Sequence, residues 1–143
     1  MVESKVSVLM RISEANLAKA EKRFKDSEFD SAVFHASMAV ETAANAMILR
    51  LGGSEARDHR AISGLAAVLR RVKPELLQKF EFRQLIEKGS DIQREVVYTR
   101  YPISTGGKWV TPMEYYSREK AKAVLENAKL VCGIIEKYLE ENN

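Results

Sequence analysis

With 143 residues, 45% of them hydrophobic and 30% charged, the chain has the make-up of one folded domain over residues 1–143 rather than of a disordered segment. Lys and Arg outnumber Asp and Glu by 23 to 20, and a net charge of +3 is too small to identify a nucleic-acid binder, so any basic patch must be local. Met1-Val2-Glu3-Ser4-Lys5 has no apolar signal region, no run of 18 apolar residues occurs, and the single Cys132 excludes an internal disulfide; a cytoplasmic protein without membrane contact is expected.

Val6, Met10, Leu17, Ala20 and Phe24 share one face of a first helix, with Lys19, Lys22, Arg23 and Lys25 outside it as a solvated face. Asp30 opens a second helix that reaches about Leu51 and stops at Gly52-Gly53. From Asp30 to Leu49 its only acidic residues are Asp30 and Glu41, and its only basic candidate is His35. A helix apolar nearly all round is buried, so Glu41 is expected in dry surroundings, where a carboxylate needs a partner. Ile62, Leu65, Ala66, Leu69 and Val72 trace a third helix before Pro74. A fourth runs from about Glu75 to Tyr101, with room for a break near Phe82, and Pro102 ends it.

A long loop, about Ile103 to Thr111, follows. Within it Ser104-Thr105-Gly106-Gly107-Lys108 lacks the first glycine and the preceding strand of a phosphate loop, and Trp109 replaces the hydroxyl residue after the lysine. It reads as a flexible turn. Thr111-Pro112-Met113-Glu114 has the form of a capping box, and Ser117 is a competing start for the same last helix. Ala121, Val124, Ala128, Val131, Ile135 and Tyr138 then give a bundle seam, with Cys132 in the core. No alternating strand pattern competes. The expected fold is all-α, an up-and-down bundle of four to five helices with one long loop before the last helix.

Four of the five tyrosines and the only tryptophan lie between Tyr98 and Tyr116, around Arg100. Such rings beside a cation can stack on bases, with Lys108 and Arg118 supplying charge, or pack the loop and a dimer contact. Arg100 itself can contact a phosphate or form an ion pair with Glu41 or Asp30 that ties the second helix to the fourth. His35 reads as a packing histidine and His59, after Arg57-Asp58, as a hydrogen-bonding group at a helix start. No metal site or cofactor is expected from the spacing of His, Cys and carboxylates. The candidate ligand-binding set is Arg100, Tyr101, Tyr98, Asp30, His35, Lys108 and Trp109, and the candidate catalytic set is Arg100 and Glu41.

Phe29-Asp30-Ser31-Ala32-Val33-Phe34-His35-Ala36, Val40-Glu41-Thr42-Ala43, His59-Arg60-Ala61-Ile62, Thr99-Arg100-Tyr101-Pro102 and the alanine-rich stretch Glu119–Leu139 together resemble the HEPN domain family over nearly the whole chain. The resemblance implies a four- or five-helix bundle, a homodimer, and a nucleotide- or RNA-binding module paired with a nucleotidyltransferase of toxin–antitoxin type. It also implies an alternative, a metal-independent RNase. Catalytic relatives carry an arginine and, after four to six intervening residues, a histidine; Arg100 matches the first, but Thr105, Gly106 and Gly107 stand where the histidine would be. In the RNase alternative Glu41, Tyr101 or a residue across the dimer takes the place of that imidazole.

Overall fold

The computed structural model describes residues 3–143. Among these residues there are six α-helices: α1 (Lys5–Lys25), α2 (Phe29–Arg50), α3 (Ala61–Val72), α4 (Phe80–Glu95), α5 (Pro112–Tyr115) and α6 (Arg118–Glu141). The all-α bundle expected from periodicity is the fold observed. Ser4 caps α1 by accepting the Ser7 N–H at 3.1 Å, and Ser117 caps α6 by accepting that of Lys120 at 3.2 Å.

Helix α2 is the axle of the bundle. It packs against α1, α3, α4 and α6, and its alanines Ala36, Ala39, Ala43, Ala44 and Ala46 are fully covered. Short side chains let four neighbours approach one helix closely, while Met47 and Ile48 fill the wider end. Length and hydropathy alone would let α2 cross a membrane, but 67% of that stretch is buried inside the fold, as in a core helix. Arg50, at its end, donates to the carbonyls of Leu139 and Asn142 at 3.3 and 2.9 Å, binding the open end of α6 to the axle.

Two expectations need correction. The expected fourth helix, Glu75 to Tyr101, is three pieces: a 3₁₀ turn Pro74–Gln78, α4, and a second 3₁₀ turn Val97–Thr99. The break lies at Lys79, whose backbone is extended, not at Phe82, which is buried inside α4 with its ring edge-on to Tyr138 at 6.0 Å. The loop before the last helix is also partly ordered as an antiparallel hairpin, β1 (Ile103–Thr105) and β2 (Lys108–Val110), in which Ser104 faces Trp109. Gly106 and Gly107 turn it with φ of +56° and +77°, the handedness that two-residue hairpin loops require. Strands of three residues are too short to show alternation in sequence. The two rival caps are both used: Thr111 and Glu114 close a capping box on α5, and Ser117 starts α6.

Candidate functional site

One stripe of α2 supports both Arg100 and His59. Phe34, Met38 and Glu41 follow one another along it, and seven residues separate its ends, about 10 Å of helix axis. Pro102 and the 3₁₀ turn before it stop the chain from continuing as helix. Arg100 N–H donates to the Val97 carbonyl at 3.2 Å and the Thr99 hydroxyl to that of Val96 at 2.7 Å. That turn sets the Arg100 guanidinium over the Phe34 ring, 4.9 Å from its centroid.

Arg100 is exposed, and among the described residues it forms no ion pair. Of the two roles open to Arg100, the ion pair with Glu41 or Asp30 is therefore not formed. Glu41 is engaged elsewhere, with its carboxylate 3.0 Å from His59 Nδ1. Nor is its setting dry: the side chains of Glu41 and His59 are 24% and 39% exposed. Asp30 is half-buried in the first turn of α2, with no ion pair among the described residues.

His59 reaches α2 because Asp58 and His59 both hold left-handed backbone, with φ of +57° and +60°. Such geometry is disfavoured for residues with a Cβ, by about 1–2 kcal/mol each. The turn folds the imidazole back onto α2 instead of onto the start of α3. The N-terminal N–H groups of α3 are met by Gln93 of α4, whose Oε1 accepts from Ile62 at 2.9 Å and from Ser63 at 3.4 Å. His59 is thus not the helix-start group expected; Gln93 is. A small pocket lined by Ser37, Met38, Val40, Gln93 and Val96 lies beside the Glu41–His59 pair.

His35 faces α1, its Nδ1 3.1 Å from Asn16 Oδ1 and its ring edge-on to Phe34 at 5.3 Å. Burial, and then the positive charges of Lys19 and Arg23, push its pKa below the ordinary histidine value. That is the packing role the sequence favoured.

The aromatic cluster divides in two. Tyr98 turns the opposite way from Arg100 and packs on Tyr115 at 5.5 Å; Tyr115 meets Tyr116 edge-on at 5.0 Å. The buried Tyr116 hydroxyl donates to the Glu95 carboxylate at 2.5 Å, and burial followed by that bond raises its pKa well above the ordinary tyrosine value. Lys120 Nζ lies 3.8 Å over the Tyr115 ring. These residues line a cleft of about 430 Å³ between α4 and α6. Tyr101, Lys108 and Trp109 stand apart on the exposed chain around the hairpin, Trp109 with 75% of its surface free. Phe34 and His59 are the residues of the Arg100 face that the sequence reading did not select. Their only signal was negative: Glu41 needed a partner, and the chain has just two histidines.

The HEPN domain model matches residues 6–138 of this chain. A Methanocaldococcus jannaschii protein named "Putative toxin MJ1304" is 28% identical over 134 residues, covering 94% of this chain and 88% of that protein. The crystal structure of TT1696 from Thermus thermophilus superposes with a TM-score of 0.75 at 23% identity, covering 94% of this chain and 98% of the other, a likeness of fold. With the family model spanning almost the entire bundle, this chain belongs to the HEPN domain family.

Proposed function

We propose that this HEPN domain is an RNA-binding module in which Arg100 takes a backbone phosphate, within a toxin–antitoxin pair. The observation that carries the reading is the state of Arg100: exposed, unpaired among the described residues, and held in place by the Phe34 ring rather than by a carboxylate. A structural arginine is normally neutralised by its partner, whereas a guanidinium stacked on an aromatic shelf keeps its donor fork free for a phosphate. Exposed Tyr101 and Trp109 nearby in the chain offer flat faces for unpaired bases, and Lys108 adds charge. The name of the Methanocaldococcus relative supports the toxin side of the reading.

The proposed active form is a homodimer. Val97, Tyr101, Trp109 and Met113, all large and exposed, occur in the same region as Arg100 and would be covered by a second copy. The proposed partner in the pair is a nucleotidyltransferase. Fluorescence anisotropy with a labelled single-stranded RNA tests the central claim. Affinity should fall steeply as salt rises, and Arg100→Ala should weaken binding about tenfold, the loss of one charge-assisted phosphate contact. Equal binding by the variant would refute the assignment of Arg100. Light scattering tests the dimer, and a monomer at micromolar concentration would rule it out.

A further inference from the structure

We propose that the end of the bundle remote from Arg100 carries a separate binding site for a small sugar phosphate. The site is a cavity of about 340 Å³, bounded by the first turn of α4, the last two turns of α6 and the 3₁₀ turn Pro74–Gln78. The 16 residues of α4, about 24 Å of helix axis, separate it from the turn that carries Arg100.

Two independent features point to an anionic ligand. No side chain caps α4: Lys79, in the cap position, has no acceptor to offer, so the first N–H groups of the helix are left without a side-chain partner. With the positive end of the helix dipole behind them, such groups attract phosphate. The second feature is Tyr138. It is 9% exposed, with its ring edge-on to Phe82 at 6.0 Å. Only its backbone carbonyl is bonded to a side chain, that of Asn142, and its hydroxyl has no hydrogen-bond partner among the described residues. The buried Tyr116 hydroxyl, by contrast, donates to Glu95. No side-chain polar atom among the described residues is both fully covered and unbonded, so the Tyr138 hydroxyl reaches a free surface. The surface that its residue lines is the cavity. A donor fixed by packing and left unbonded is ready for an acceptor that enters from solvent.

The charges on the walls narrow the ligand. Lys73, Lys79 and Lys137 border the cavity, and so do Glu75, Glu81 and Glu141. None of the six forms an ion pair among the described residues. Three carboxylates would repel a polyanion, and charged walls would not receive an apolar molecule. The combination suits a compact molecule with one strongly anionic group and several hydroxyls. Phosphate oxygens accept from Tyr138, from the α4 N–H groups and from the lysines, while the hydroxyls donate to the glutamates. A pentose phosphate offers a hydroxyl for each carboxylate, whereas an α-amino acid offers a single ammonium. The volume lies at the small end of the range for small-molecule sites, about 300–1,000 Å³, as such a ligand requires.

Isothermal titration calorimetry on the full chain at low ionic strength tests the site with ribose 5-phosphate, inorganic phosphate, ribose and glycine. Ribose 5-phosphate should bind at least tenfold more tightly than inorganic phosphate, and ribose and glycine should give no binding heat. Tyr138→Phe keeps the ring and removes only the hydroxyl. It should weaken ribose 5-phosphate binding about tenfold, the loss of one hydrogen bond to a charged group, and leave the thermal midpoint unchanged. Lys137→Gln should also weaken binding, and it replaces Tyr138→Phe should that variant fold poorly by circular dichroism. Arg100→Ala should bind ribose 5-phosphate as wild type does, so this site and the RNA-binding reading of Arg100 stand or fall separately. No binding of ribose 5-phosphate at millimolar concentration would overturn the proposal. So would equal binding of ribose or glycine, wild-type affinity in both Tyr138→Phe and Lys137→Gln, or loss of binding in Arg100→Ala.

Discussion

Tyr98 and Arg100 are two residues apart, yet they belong to opposite kinds of surface. The tyrosine joins a cleft whose central groups are engaged with neighbours: Tyr116 with Glu95, Lys120 with the Tyr115 ring. The arginine joins a face where the cation is open and the one acidic group, Glu41, is bound to a histidine brought from another loop. A tight 3₁₀ turn ahead of Pro102 is enough to send them apart. Aromatic density in a sequence is therefore no guide to a ligand site by itself. Here most of the tyrosines hold α4 to α6, and the better candidate for recognition is the single ring, Phe34, that supports a charge.

The contrast can be broken by substitution. The largest effect should come from Tyr116→Ala, which empties a fully packed position (4% exposed) and strands Glu95; we expect a loss of about 3 kcal/mol in urea denaturation, with RNA affinity unchanged where the variant is folded. Affinity lost in step with stability would mean that the two surfaces are one site. Gly89→Ala tests the support behind His59. A methyl group there would lie 2.6 Å from Ile62 Cδ1 and 2.9 Å from its Cγ1, where α4 meets α3. Overpacking outweighs the gain in helix propensity, and a net loss of about 1–2 kcal/mol is expected from the thermal midpoint. Arg100→Ala should do the reverse of Tyr116→Ala, leaving stability within about 0.5 kcal/mol while lowering RNA affinity.

Two pH effects sharpen the same comparison at smaller scale. Because Tyr116 is held protonated in the folded state, its contribution is present below the ordinary tyrosine value of about 10 and is lost as pH rises beyond it. Tyr116→Phe should flatten the alkaline limb of the stability profile; an unchanged limb would place the titrating group elsewhere. His35 has the opposite sign. Its depressed pKa means that the folded state prefers the neutral ring, so its contribution is present above the ordinary histidine value and is lost as pH falls below it. His35→Gln should reduce the fall in thermal midpoint on mild acidification, which differential scanning fluorimetry can follow from neutral pH downward.

Much of the fold was legible because helical periodicity is local information. The apolar stripes of the five longer helices, the Gly52-Gly53 stop and both the Thr111 and Ser117 caps lie within a few residues of what they specify. The errors were also local in origin. Lys79 and the 3₁₀ turn Val97–Thr99 divide what periodicity alone joins, and a hairpin of three-residue strands carries too few side chains to alternate visibly. The candidate site was legible in only one half. Arg100 and Glu41 stand out as a cation beside aromatics and a carboxylate on an apolar helix, but of the two roles open to Arg100 the ion pair with Glu41 or Asp30 is not formed, and the partner of Glu41 is His59.

Sequence by itself determined an all-helical bundle, a buried alanine-rich axle, and an arginine without the family's following histidine, because each is a matter of residue type at short spacing. Only tertiary structure decided which charge meets which. Glu41 could have found Arg100, 59 residues away, but meets His59, 18 residues away, because two left-handed residues turn that loop back onto α2. Backbone handedness at Asp58 and His59 leaves no mark in periodicity, and it is what leaves Arg100 free.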